Sequence, residues 1–172
     1  MDKLPNLLIM GLDQYIEIEV VHQTENTEKG RTVTERRDEE LAYFRKVNFI
    51  QKFFEDKYEI PDAESVPITK EDLQELADLC ERVMDKFEEW DGAKEALESD
   101  DYIEPPKHIQ DYAAELLPTC DGFFFGSTDY DNWYFNDVKD TMNTIRELIQ
   151  EVEDTYEGED SDDYQLFYRA WW

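Results

Sequence analysis

Glu71, Glu75, Asp78, Asp85 and Glu89 follow one another at spacings of four, three, seven and four residues. Residues three and four apart are neighbours on a helix surface, so this spacing makes a row of fixed negative charge along one face. Glu95, Glu98, Asp100 and Asp101 continue it along the chain. Such a row can bind a basic surface. It is also dense enough to attract divalent cations. A hydrolase working through a pair of carboxylates stays open too, because an acidic chain offers pairs by chance.

Other chemistries find less support. His22 and His108 are the only histidines, and neither has a cysteine neighbour or helical His spacing, which argues against zinc. The segment DYDNWYFND offers Asp129, Asp131 and Asp137, but lacks the Gly at the sixth position and the Glu at the twelfth that a calcium loop needs. A looser cation site there stays open; no resident metal or cofactor is expected. There is no Gly-rich phosphate loop and no nucleophile elbow. Cys80 and Cys120 are too few for a disulfide framework. Arg45-Lys46-x-Asn48 is the best polar cluster outside the acidic residues. It reads either as a helix face pairing with Glu39, Glu40 or the acidic second half, or as a site for a small anion.

The elements that position these groups belong to one expected domain of 172 residues, 40% hydrophobic and 14% aromatic. That is ample material for a core, so the net charge of −28 sits on a folded body. Residues 1–60 carry −4 of it and residues 61–172 carry −24. Nucleic acid is disfavoured as a direct ligand because phosphates require Lys/Arg stripes. Anionic membranes are disfavoured for the same reason. The apolar run Leu7–Met10 is too short for a signal peptide or span, and a cytoplasmic protein is expected.

Residues 7–21 read as strand-like, with half-buried alternation over 15–21; Lys29-Gly30 is the tip of a hairpin or loop, and a second strand is expected over 32–37. Tyr43, Val47, Ile50 and Phe54 share a helical face and predict a helix over 38–57. Thr69 and Asp72 form an acidic capping box opening a helix over 70–89, whose stripe runs Leu73, Leu76, Ala77, Cys80, Val83, Met84, Phe87. Residues 91–105 read as an acidic insertion, or a short helix plus loop, that the core should survive losing. A short helix over 107–117 and a long one over 131–156 follow, and 164–172 ends the chain as a strand. The expected fold class is α+β, a small antiparallel sheet from the two chain ends packed on three to four helices.

GFFFGSTDYD, residues 122–131, has two readings. One is a short core strand with Phe123 and Phe125 on one side, then a turn and a capped helix, since Ser127, Thr128, Asp129 and Asp131 all suit a cap. The other is a loop that contacts a ligand, with Asp129 and Asp131 as its polar groups. Those carboxylates already occupy the positive end of the helix dipole, which argues against an anion.

Four segments carry a resemblance. LLPTCDGFFFGSTDYDNWYFNDVKDTM at 116–142, MGLDQYIE at 10–17, YFRKVNFIQKFF at 43–54 and the terminal FYRAWW together resemble a family of small proteins common in phage and prophage genomes. The family has no established catalytic activity, so the resemblance carries over no catalytic residue. Against that pattern residues 1–9 are an N-terminal extension, Gln51 stands where relatives often have His, and 91–105 lies outside the match. A phage setting and rows of carboxylates lead to one expectation: a DNA-mimic inhibitor, anti-CRISPR or anti-restriction for example. Its partner would be a basic host protein, a nucleic-acid-binding or nuclease protein. The rival is a small-ligand-binding protein or enzyme with its site near 122–131 and 45–52. A structural or assembly factor, which would form stable homo-oligomers, is a third reading.

Overall fold

The computed structural model describes residues 11–26, 31–158 and 163–172, with side chains at all of these except 22–26 and 31–35. The expected extension at 1–9 and the hairpin tip at Lys29-Gly30 lie outside the described residues.

Strand β1 (Asp13–Asn26) alternates as its sequence predicts: Ile16, Ile18 and Val20 are buried while Tyr15, Glu17 and Glu19 are partly exposed. It pairs antiparallel with β2 (Arg31–Arg45), and a register shift between Ile16 and Glu17 leaves Leu41 as a bulge. Its other edge pairs antiparallel with β4 (Asp163–Trp171), which turns Leu166, Tyr168 and Ala170 to the same buried side. A short β3 (Ser65–Ile68) completes the sheet in the order β2-β1-β4-β3. Pro67 is tolerated in β3 because that strand is an edge, where a missing N–H costs no ladder bond.

Among the described residues five helices cover the buried side: α1 (Asn48–Glu55), α2 (Lys70–Glu88), α3 (Ala93–Glu98), α4 (Lys107–Leu116) and α5 (Asn132–Tyr156). The chain is therefore α+β, its antiparallel sheet built from both chain ends. The count exceeds three to four because a six-residue helix forms inside the acidic segment. Helix α2 starts as its capping box dictates: Asp72 N donates to Thr69 Oγ1 at 3.1 Å, and Thr69 N donates to Asp72 Oδ2 at 2.9 Å. Its apolar stripe meets α5, with Phe87 stacked on Phe135 at 4.2 Å. Phe54 of α1 stacks on Tyr168 at 4.3 Å and fastens the helices to the sheet.

The helix expected over 38–57 is two elements. Residues 38–45 belong to β2, and only 48–55 are helical. Tyr43 is exposed, and its ring meets Tyr15 across the β1–β2 ladder at 5.2 Å instead of joining Val47, Ile50 and Phe54 in the core. Lys46, at φ 59°, makes the corner between the elements. The helical spacing of Tyr43 with Val47 is a coincidence of register, and cross-strand pairing outweighs it.

Candidate functional site

Helix α2 turns its apolar stripe inward, so Glu71, Glu75, Asp78, Asp85 and Glu89 are all exposed. The four later candidates, Glu95, Glu98, Asp100 and Asp101, are exposed as well. Residues 70–101 carry thirteen carboxylates and four cations. Some are paired: Glu75 with Lys57, Glu89 with Lys86, and Glu98 with Lys94 at 4.0 Å. Asp78 accepts from Gln74 Nε2 at 2.8 Å. Among the described residues the side chains of Glu71, Asp85, Glu95, Asp100 and Asp101 have no hydrogen-bond or ion-pair partner. Exposed pairs hold their charges weakly, so the face stays strongly negative.

The acidic segment 91–105 is built into the core. Ala93 and Ala96 of α3 are buried, and Leu97 and Ile103 pack against the core. Asn132, the first residue of α5 and fully buried, ties the segment down. Its Nδ2 donates to the carbonyls of Ala96 (3.3 Å), Ser99 (3.3 Å) and Asp101 (3.0 Å), while its Oδ1 accepts from Ile103 N at 2.9 Å. Asn132 N donates to Ile103 O at 3.1 Å, closing the clamp. Loss of this segment would therefore take the buried Ala93 and Ala96 from the core and leave the buried Asn132 amide without these partners, against the expectation of a dispensable insertion. Charge and composition hid Asn132; its one signal is an amide directly after the capping Asp131.

The GFFFGSTDYD segment is a loop, not a strand. Phe125 alone of the three phenylalanines is buried, under Trp172 at 5.8 Å; Phe123 and Phe124 are exposed. Phe124 takes φ 64° and Gly126 φ 91°, so the alternation of an extended chain does not apply. Asp131 is the cap of α5, its Oδ1 accepting from Tyr134 N at 2.9 Å, and Asp129 is exposed.

This loop meets two other segments at Lys46. Lys46 N donates to Leu12 O at 2.7 Å, and Leu12 N to Phe124 O at 3.4 Å. Asn48 Nδ2 donates to Phe125 O (3.2 Å) and Ser127 O (2.8 Å). A Cβ on Gly126 would lie 3.2 Å from Lys46 Cβ, and one on Gly11 3.2 Å from Lys46 Cε, so both glycines lie close against the lysine. Residues 11–17, 43–54, 116–142 and the terminal Trp172 thus each contribute to one junction. Beside it is a cavity of about 220 Å³ lined by Arg45, Lys46, Asn48, Asp131, Trp133 and Asp137 among others. The Asp137 residue keeps exposed surface, but crowding around its carboxyl, then Asp140 and Asp131, pushes it up to about 6. A larger opening of about 470 Å³, unforeseen from sequence, lies on the open face of the sheet between Glu17, Glu19, Asp38, Glu40, Ser65 and Arg169.

The remaining reactive groups are quiet. Burial pushes the Cys80 thiol up to about 12; burial and then Glu55 push Cys120 up to about 11. Neither is a thiolate nucleophile near neutral pH. Gln51 is fully buried on a polar chain: it accepts from Tyr168 OH at 2.6 Å, and that hydroxyl accepts from Gln14 Nε2 at 3.1 Å. Gln14 also holds Val47, receiving its N–H at 3.1 Å and donating to its carbonyl at 3.0 Å. Among the described residues no group of three or more His, Cys, Asp or Glu is placed to hold a metal ion. No described helix is long and apolar enough to cross a membrane. No family model, no curated protein and no solved structure matches the chain.

Proposed function

We propose that the protein is an acidic decoy that occupies a nucleic-acid-binding surface of a basic partner protein. The observation that carries this reading is the exposed stretch from Glu71 to Asp101, where the nine candidate carboxylates all reach water and, among the described residues, five of their side chains have no hydrogen-bond or ion-pair partner. Carboxylates one helical turn apart lie about 5–6 Å from each other and form a rigid array of negative charge. A channel lined with Lys and Arg offers the complement, and long-range attraction speeds the encounter. With the phage resemblance, the fitting partner class is a host nucleic-acid-binding or nuclease protein of a defence system.

The test compares capture from a bacterial lysate by the wild-type chain and by a variant with all nine positions changed to Asn or Gln. Wild type should retain nucleic-acid-binding proteins that added duplex DNA releases, and the variant should not. Capture that ignores both the DNA and the substitutions would refute the proposal.

A second reading is favoured by one observation: the cavity beside Lys46 brings 45–49 together with 126–137. Its walls carry Arg45 and Lys46 against Asp129, Asp131 and Asp137, which fits a small ligand bearing both charges. Trp133→Ala together with Lys46→Ala would abolish such a function and leave the acidic-face function intact.

A further inference from the structure

Strand β2 stands at one end of the sheet order, and among the described residues no backbone hydrogen bond reaches the outer side of Arg36–Glu40. Arg36, Arg37, Asp38, Glu39 and Glu40 are all exposed, although Arg37 and Glu39 lie opposite the buried Val20 and Ile18 on the face that helices cover elsewhere. The helical layer thus stops short of this stretch, which is open on both faces and along its edge. Charges on an edge strand ordinarily keep it single. Two cations followed by three anions act differently toward an antiparallel copy of the same strand.

We propose that two copies of this chain pair through β2, antiparallel and two-fold symmetric about Asp38, to make one continuous eight-stranded sheet. Symmetry narrows the register. A two-fold axis normal to the sheet keeps both helical layers on one side, so opposed residues must have the same parity. Centring on Arg37 sets that cation against itself. Centring on Glu39 sets it against itself and Asp38 against Glu40. Centring on Asp38 places Arg37 opposite Glu39 of the second copy, and Arg36 opposite Glu40, each twice. The two Asp38 side chains then face each other, each with one Arg36 and one Glu40 of the second copy on its diagonals, and the Arg36 side chain is long enough to reach it. In the single chain Arg37 and Glu39 make only an exposed contact at 3.8 Å, so little is lost when they exchange partners. The inference does not depend on the decoy reading, since β2 lies outside the face from Glu71 to Asp101.

Sedimentation equilibrium of three samples tests it: Arg36→Glu/Arg37→Glu, Glu39→Arg/Glu40→Arg, and their equimolar mixture, each beside wild type. Wild type should show a concentration-dependent dimer. Each variant alone opposes like charges at all four contacts and should be monomeric. The mixture restores every contact with opposite sign and should form a one-to-one heterodimer. It carries the same total charge as two wild-type chains, so only the edge pairing distinguishes the samples. Monomeric wild type, dimers that survive either reversal, or a mixture that stays monomeric would each overturn the proposal. Should a variant misfold, amide exchange across Arg36–Glu40 in wild type decides. Protection that rises with concentration supports the pairing, and protection independent of concentration overturns it.

Discussion

Replacing Asn132 by Ala removes one side chain and strands the backbone of another segment. Four hydrogen bonds go: those to Ala96 O and Ser99 O at 3.3 Å, the one to Asp101 O at 3.0 Å and the one from Ile103 N at 2.9 Å. The two shorter bonds dominate. At about 1 kcal/mol net for each, plus the cost of a polar group left unpaired in a buried site, the loss is about 2–4 kcal/mol. Against a total stability of about 5–15 kcal/mol this is a large fraction. For a chain of this size each kcal/mol moves the melting temperature by about 2–4 °C, so a drop of about 4–16 °C is expected. Urea denaturation followed by circular dichroism gives the free energy, and amide exchange gives the location. The Ile103 amide should exchange much faster, while the centre of α2 should follow the global loss only. Asn136→Ala is the control: its Nδ2 reaches Leu97 O at 3.3 Å and its own helix at Asn132 O, so it should cost less. A loss under about 1 kcal/mol for Asn132→Ala, or an Ile103 amide as protected as before, would refute the clamp.

Phe125→Ala should cost about 3–5 kcal/mol, while Phe123→Ala should stay within about 0.5 kcal/mol, because only the first is buried; equal effects in thermal melts would contradict the loop geometry. Gly126→Ala should cost about 1–3 kcal/mol, since it forces a Cβ onto φ 91° and against Lys46; a neutral result by denaturant titration would show that the junction relaxes freely. Asp72 is pushed up by burial, but hydrogen bonds from Tyr58, Thr69 and Lys57 outweigh this and hold its carboxyl below the usual value. Its stabilising contribution is therefore full above the unfolded carboxylate range and lost as pH falls through its lowered folded value. Asp72→Asn should lower stability near pH 7 by about 1–2 kcal/mol and flatten the acid limb of stability against pH; an unchanged acid limb would contradict this assignment.

The readable parts of the fold are those where one residue type answers to one physical demand. Ile16, Ile18 and Val20 face one core, so alternation revealed β1. Thr69 and Asp72 meet the orphan amides of α2, so its first residue was legible. Strand β2 was not legible beyond residue 37. Its charged centre is exposed on both faces, which leaves Ala42 and Phe44 as its buried anchors there, too few to show a period. β3 is four residues long with a proline inside, and its stability comes from pairing with β4, far away in sequence. At the acidic face, helical spacing was enough to place the α2 carboxylates outward. Asn132 and the meeting of the loop with Lys46 depend on contacts between distant segments, which spacing does not record.

As a decoy, the stretch from Glu71 to Asp101 would take the place of nucleic acid on its partner. The direct measurement is displacement of a fluorescently labelled DNA duplex from the partner obtained by DNA-sensitive capture, titrated with the wild-type chain and with the nine-position Asn/Gln variant at low and high salt. Wild type should displace the duplex stoichiometrically, less so as salt rises, and the variant should not displace it. A complex in which duplex and protein bind the partner together, or a variant that displaces as well as wild type, would contradict the decoy reading.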